Sequence, residues 1–239
     1  MSLSSKIKIF CDFDGTILSD DVGNLFFETF GGKEIWNDIA IYEEGKIGAQ
    51  ELFIRETARI RELTEEKIDT FCSRFTLDAT FIPFVAWCEK NAIDLCIVSD
   101  GLDVYIDRIL KRCNISLPVY CNSLRMLEDG RAKIEFPYAD SESEDCANCK
   151  RNHLLTRSSD EDISVVIGDG YSDRCPARYA DIVFAKDALI PYCQKENITF
   201  TAFKDFEIIQ EKLSAILKKK RFRKPHQARM RRNAAWRMG

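Results

Sequence analysis

The stretch Phe10-Cys11-Asp12-Phe13-Asp14-Gly15-Thr16-Ile17 decides how the rest of the chain is read. It follows Ile7 and Ile9, whose apolar run with Phe10 predicts a buried strand. Side chains two residues apart on extended backbone point the same way, so Asp12 and Asp14 crowd one small volume at the strand's exit. Two close carboxylates repel, and a proton or a cation placed between them relieves the repulsion. Gly15 permits a sharp turn directly afterwards. Taken alone, these residues also describe a strand running into an Asp-rich turn, so the remaining chain has to decide.

Working outward, the alternation of element types is the next signal. From Val22 to Phe75 the pattern is helical. Asp20 or Asp21 caps a helix through Val22, Leu25, Phe26 and Phe30, Gly31-Gly32 stops it, and Thr64-Glu65-Glu66-Lys67 has capping-box character. That block of four helices, residues 19–76, reads as a helical cap inserted behind the first strand. After it the texture changes. Ile93–Val98 and Ile163–Ile167 are short continuous apolar strands of the kind found in parallel sheets. The first ends in Ser99-Asp100-Gly101, the second in Gly168-Asp169-Gly170-Tyr171-Ser172-Asp173. Residues 118–138 predict a β-hairpin turning at Glu128-Asp129-Gly130, followed by an acidic loop at 140–145. Further expected elements are a helix opening at Cys146–Lys150, a strand at Ile182–Phe184, a helix over 186–196, a short strand near Thr199-Phe200 and a helix over 204–217. Strands alternating with helices predict the α/β class, with a Rossmann-like open, mainly parallel sheet formed by residues 1–18 and 77–217.

Composition fits a globular chain and excludes several alternatives. Its 239 residues are 45% hydrophobic, enough for a sizeable core. No apolar run reaches the length of about 18 residues that crosses a bilayer, so no membrane partner is expected. Met1–Ser5 lacks the pattern of a signal peptide, and a cytoplasmic location is expected. Ten cysteines invite a disulfide reading, but Cys11, Cys88, Cys96 and Cys113 sit inside apolar patterns, where free cysteine behaves as a small hydrophobe. Charge is uneven. Lys218–Gly239 holds ten Lys or Arg and no acid, so a net charge of −4 leaves −14 on the preceding residues. This tail is expected to be a flexible, solvated extension; contact with nucleic acid or another anionic surface is the sharper alternative.

Open α/β sheets bind ligands at the carboxyl ends of their strands, so the DFDGT, SDG and GDGYSD tips are expected to meet. Asp12, Asp14, Asp169 and Asp173 would then form a negative site that suits a hard cation, and Mg²⁺ is the usual choice beside a phosphate. Ser99 offers a hydroxyl, the Asp100-Gly101 turn offers backbone N–H groups to an anion, and Lys150 offers a positive charge near a helix start.

These four motifs, in this order, resemble the haloacid dehalogenase (HAD) superfamily over residues 6 to about 210. The resemblance implies that Asp12 attacks phosphorus to give an aspartyl-phosphate. Asp14 would protonate the leaving oxygen and then activate water. Mg²⁺ would be held by Asp12, the Asp14 carbonyl and Asp169, with Asp173 in support, while Ser99 and Lys150 bind phosphoryl oxygens. The helical block resembles the cap of the phosphoserine-phosphatase-like branch, with Asp20 and Asp21 where an acidic cap residue often stands. Ile54 falls at the place of that branch's carboxylate-binding arginine, and Arg55 lies one position along, a rotation of roughly 100°. Asp145-Cys146-Ala147-Asn148-Cys149-Lys150, the Gly168–Cys175 stretch and Val183–Leu189 are similar to the 2-hydroxy-3-keto-5-methylthiopentenyl-1-phosphate phosphatases of methionine salvage, and also to phosphoethanolamine/phosphocholine-type phosphatases. The Cys146/Cys149 pair is read as packing around the loop that presents Lys150, without a metal. A small phosphorylated metabolite is the expected partner, with the protein a monomer or homodimer. Phosphoserine stays open as a substrate, as does an anion- or RNA-binding protein with a vestigial phosphatase site.

Overall fold

The computed structural model describes residues 6–140, 146–219 and 221–238. The expectations placed on Met1–Ser5 and on positions 141–145 of the acidic loop lie outside the described residues. In chain order the elements are β1 (Ile7–Cys11), α1 (Val22–Gly31), α2 (Ile35–Glu43), α3 (Ala49–Arg59), α4 (Glu65–Cys72), α5 (Phe81–Lys90), β2 (Asp94–Leu102), α6 (Asp103–Arg112), β3 (Val119–Met126) and β4 (Ala132–Glu135). There follow α7 (Lys150–Arg157), β5 (Ile163–Gly168), α8 (Arg174–Ala177), β6 (Ile182–Ala185), α9 (Leu189–Lys195), β7 (Thr201–Ala202), α10 (Phe206–Leu217) and α11 (His226–Met238). The strand order is β4-β3-β2-β1-β5-β6-β7. The α/β class and mainly parallel sheet expected from sequence are therefore observed, with the predicted hairpin as β3 and β4.

Two compact units emerge. One comprises residues up to 17, 77–98 and those from 150 onward; the other comprises 18–76 and 99–149. In the first, β1 pairs in parallel with β2 on one side and β5 on the other, with Ile9 opposite both Leu95 and Val165. β5 in turn pairs with β6, and β6 with β7. Every residue of β5 is buried, and β1 is buried at all but Lys8, as expected for strands covered on both faces. Chain order reverses at β1, and that switch point is where open α/β sheets present their crevice.

The second unit gathers the four helices of the expected cap with α6 and the β3–β4 hairpin. The SDG stretch departs here from the expected turn, because β2 continues through Leu102. The carbonyls of Ser99 and Asp100 accept from the side-chain amides of Asn148 (2.8 Å) and Asn122 (2.6 Å). These donors satisfy the backbone in its extended form. α6 starts only at Asp103, whose carboxylate accepts from Leu124 N–H (3.0 Å) and Ser123 Oγ (2.6 Å). An aromatic cluster of Phe26, Phe30, Phe71 and Tyr105 fills this unit. Within it Glu56 is 1% exposed, and its Oε1 has no hydrogen-bond partner. Burial, reinforced by Asp38 and Asp21 and opposed by Arg59, pushes its carboxyl up to about 8.

Within the stretch expected to be a flexible extension, His226–Met238 is helical. Arg232, 3% exposed, donates to Asp181 Oδ1 at 2.8 Å and to the Tyr179 carbonyl. Asp181 Oδ2 accepts from the backbone and hydroxyl of Ser164 on β5. Lys224 donates to the carbonyls of Asp160 and Asp162. Lone charges do not stay buried, and Arg232 and Asp181 neutralise one another there. The α9 helix is also shorter than expected, because Asp187 (φ 45°) breaks the backbone ahead of it.

Two measurements check these placements. Arg232→Ala is expected to cost up to about 3 kcal/mol in chemical denaturation, because it leaves the buried Asp181 with Lys224, 3.7 Å away, as its remaining cation. Glu56 stays protonated in the fold up to about pH 8, whereas in the unfolded chain it ionises near pH 4.3. Its burial therefore costs stability progressively as pH rises between those values. Glu56→Gln should remove that slope, so that its stability relative to the parent rises by at least about 1 kcal/mol between pH 5 and pH 8.

Candidate active site

The β1 ladder runs one residue beyond the strand: Asp12 N–H donates to the Ile167 carbonyl at 2.9 Å. This contact sets the backbone of Asp12 beside the end of β5, where Asp169 follows Gly168. Phe13 N–H donates to Asp12 Oδ1 at 2.7 Å, which orients the carboxylate. Lys150, the first residue of α7, is 5% exposed. Its ammonium lies 2.8 Å from Asp12 Oδ1 and 2.8 Å from Asp173 Oδ1. Asp173 Oδ2 accepts from the backbone N–H groups of Asp169 (3.1 Å) and Gly170 (3.2 Å), so this aspartate staples its own loop. Thr16 Oγ1 donates to Asp169 Oδ1 at 2.7 Å.

Two glycines let these groups approach. Gly15 has φ +67°, and a Cβ there would collide with the Asp169 carboxylate. A Cβ on Gly168 would collide with Asp173. The GDG and DGT elements are thus tied by space as well as by turn geometry.

One oxygen each from Asp12, Asp169 and Asp173 lies within 4.8 Å of the others. Asp12 and Asp173 share the Lys150 ammonium, Asp169 adds a third carboxylate, and burial and excess negative charge together show in their proton affinities. Burial raises the Asp12 carboxyl well above the usual range; Asp173 adds to the rise and Lys150 opposes it. Asp169 is pushed up to about 6 by burial and by Asp173, against the pull of Thr16, Lys150 and Lys186. The donor set is hard oxygen throughout, which fits Mg²⁺ and not a soft metal.

A family model described as haloacid dehalogenase-like hydrolase matches residues 9–178. The chain belongs to that family. Curated relatives named 2-hydroxy-3-keto-5-methylthiopentenyl-1-phosphate phosphatase include one from Bacillus cereus (strain B4264), 29% identical over 223 residues, covering 90% of this chain and 99% of the relative. Another, from Bacillus thuringiensis (strain Al Hakam), is 28% identical over the same shares. A solved phosphoserine phosphatase, a phospho-aspartyl intermediate analogue, has a TM-score of 0.66 at 17% identity and covers 87% of this chain and 99% of its own. A HAD family hydrolase from Salmonella enterica serovar Typhi has a TM-score of 0.69 at 18% identity, covering 87% of this chain and 70% of its own.

Of the HAD-motif residues singled out from sequence, Asp12, Lys150, Asp169 and Asp173 come together in the first unit. Asp14 is half-buried, two residues after Asp12. Ser99, Asp100 and Gly101 lie on β2 in the second unit, where Gly101 N–H donates to Ser99 Oγ at 2.9 Å. Ser99 follows by two residues Ile97, the partner of Cys11 in the β1–β2 ladder. Asp20 is exposed, and Asp21 caps α1 by accepting from Asn24 N–H at 2.9 Å. Arg55 is ion-paired with Glu51 and lies 3.6 Å from Asp38. Sequence reasoning missed Thr16 at the cluster, the hydroxyl of DGT, and, in the second unit, Asn148, which joins the Ser99 and Tyr120 carbonyls, and the buried Glu56, which no local pattern marks. Among the described residues no helix is long and apolar enough to cross a membrane. None of the ten cysteines, Cys146 and Cys149 included, is in a disulfide.

Asp169 ionises in the fold only near pH 6, about two units above its ordinary value. The metal-free protein should therefore lose stability as pH rises from about 4 to 6. Mg²⁺ should stabilise the ionised cluster more, giving a larger rise in Tm at pH 7.5 than at pH 5. Equal gains at both pH values would contradict a carboxylate cation site.

Proposed function

We propose that this HAD-type phosphatase is a Mg²⁺-dependent phosphomonoesterase that works through an aspartyl-phosphate on Asp12. The observation that carries the reading is the Lys150 ammonium shared at 2.8 Å by Asp12 and Asp173. A nucleophilic carboxylate must be ionised, and burial works against that. Lys150 supplies one positive charge. Asp12, the Asp14 carbonyl and Asp169, with Asp173 keeping the loop in place, would hold Mg²⁺, which when bound would supply the remaining positive charge and Lewis acidity toward the phosphoryl oxygens.

Asp12 attacks phosphorus as the bond to the leaving oxygen breaks, and Asp14 gives that oxygen its proton. Asp14, now a base, takes a proton from water. The resulting hydroxide attacks phosphorus, the bond to Asp12 breaks, and inorganic phosphate leaves with Asp12 restored. Lys150 faces the charge that builds on the phosphoryl group. Ser99, with Asp100 and Gly101, is assigned to phosphoryl oxygens from its family motif.

For the substrate we infer 2-hydroxy-3-keto-5-methylthiopentenyl-1-phosphate, the compound named in the relatives that span almost the whole chain. Phosphoserine is less well supported. The structures so named share the fold at 17% identity, and Ile54, at the expected place of the carboxylate clamp, is exposed and apolar. Arg55 beside it already has acidic partners. Phosphocholine and phosphoethanolamine are carried by motif resemblance alone. Asp20, Asp21 and Arg55 are the residues proposed to choose the leaving group, and a cytoplasmic site of action is proposed with the small metabolite.

The test is turnover of purified protein against an aryl phosphate, the salvage-pathway ester, phosphoserine and phosphocholine. Asp12→Asn is expected to reduce hydrolysis of every ester by at least about 10³-fold while the far-UV spectrum is kept; retained turnover rules out Asp12 as nucleophile. The salvage ester should show the highest kcat/KM of the set, and EDTA should silence the enzyme until Mg²⁺ is returned.

A further inference from the structure

The loop leaving β6 reaches back to the site through three contacts that the catalytic roles above do not use. Lys186 N–H donates to the Gly168 carbonyl at 3.2 Å, and Leu189 N–H donates to the Asp169 carbonyl at 2.7 Å. Both hold the backbone from which the Asp169 side chain departs. The third contact is made by the Lys186 side chain, whose Nζ donates to the Thr16 carbonyl at 3.4 Å. Thr16 is the residue whose hydroxyl donates to Asp169 Oδ1. One lysine therefore links the loop after β1 to the loop after β6, with Asp169 between them.

The placement of this ammonium is specific. Lys186 is half-buried, and its Nζ stands 5.5 Å from the centroid of the Phe203 ring, which covers the stem and favours a cation on its face. Asp187, next in sequence, has φ 45°. A non-glycine residue pays for that conformation with local strain, and here it lets the chain turn so that Leu189 reaches Asp169. Lys186 is also a second positive charge acting on Asp169, beside Lys150, which is already engaged by Asp12 and Asp173.

We infer that Lys186 is a positioning residue for the Mg²⁺ site: through the Thr16 carbonyl it holds the Thr16 hydroxyl against Asp169 and so fixes the carboxylate oxygen left for the metal. Groups behind a metal ligand orient it, and their loss commonly weakens metal binding by roughly 10–100-fold. Lys186 does not touch the reacting atoms, and its effect runs through Thr16 and Asp169. The inference rests on the proposed Mg²⁺ site.

The experiment is Mg²⁺ binding to the full metal-free chain by calorimetry, read without turnover, for the parent, Lys186→Met, Lys186→Arg, Thr16→Val and the Thr16→Val/Lys186→Met double variant. Lys186→Met is expected to weaken Mg²⁺ binding about ten-fold or more, Lys186→Arg to recover most of that loss, and the double variant to lose no more than Thr16→Val alone. Non-additivity is expected because the lysine acts through the threonine. In kinetics the same defect should appear as a higher Mg²⁺ requirement, with kcat near the parent's at saturating metal. If Lys186→Met does not fold, Lys186→Gln takes its place with the same expectation. A parent that binds Mg²⁺ while the neutral variants bind it within two-fold overturns the role of Lys186 alone, as does full additivity with Thr16→Val. A parent that does not bind Mg²⁺ overturns the metal site and this inference together.

Discussion

A buried ammonium between two carboxylates is the interaction on which the site depends. Lys150 has almost no contact with solvent, and neither has Asp12 or Asp173. Each charge would be costly alone at such a depth, and a mutual distance of 2.8 Å makes the group tenable. The balance is incomplete, because Asp169 brings a third carboxylate to the same volume. That surplus is the charge a further cation would neutralise. Burial, with that surplus added, makes Asp12 and Asp169 hold their protons more tightly than ordinary aspartates do.

The sheet holds this arrangement in register. The hydrogen bond from Asp12 to the Ile167 carbonyl extends the β1–β5 ladder, so the backbone of Asp12, the proposed nucleophile, is held by the sheet. Asp173 serves the other side, fastening the Asp169–Gly170 backbone with the oxygen that Lys150 does not use. Gly15 and Gly168 leave room where a side chain would push these carboxylates apart. The site is thus built by strand ends and short turns, the most rigid parts available to it.

The second unit bears on a different question. Its helices, the β3–β4 hairpin and the end of β2 group together, with Asn122 and Asn148 acting as side-chain donors where a neighbouring strand would otherwise supply N–H groups. Residues 99–149 therefore belong structurally with residues 18–76, although the hairpin reads from sequence as an insertion into the sheet domain. Arg55, one position from the expected carboxylate clamp, is held by Glu51 and Asp38, and Glu56 beside it is buried with a proton. These features set this HAD member's helical unit apart from the phosphoserine pattern expected from sequence.

Much of the catalytic half could be read directly. Strand character depends on short apolar runs, and the chemistry at each strand end depends on adjacent residues, so DFDGT and GDGYSD announced Asp12, Asp14, Asp169 and Asp173 from local sequence. Lys150 was legible through its order among the motifs. What local pattern could not show is how distant charges are paired. The composition of Lys218–Gly239 describes a solvated tail, yet Arg232 meets Asp181, 51 residues earlier, and is buried with it. Continuation of β2 through Leu102 depends on amides from Asn122 and Asn148, and the link from Lys186 to Thr16 spans 170 positions. The sequence by itself determined the α/β class and the acidic strand ends, because those follow from neighbouring residues. Only the tertiary structure decided which cation answers which carboxylate, because burial makes an ion pair necessary without naming the partner, and the fold alone brings the partner within reach.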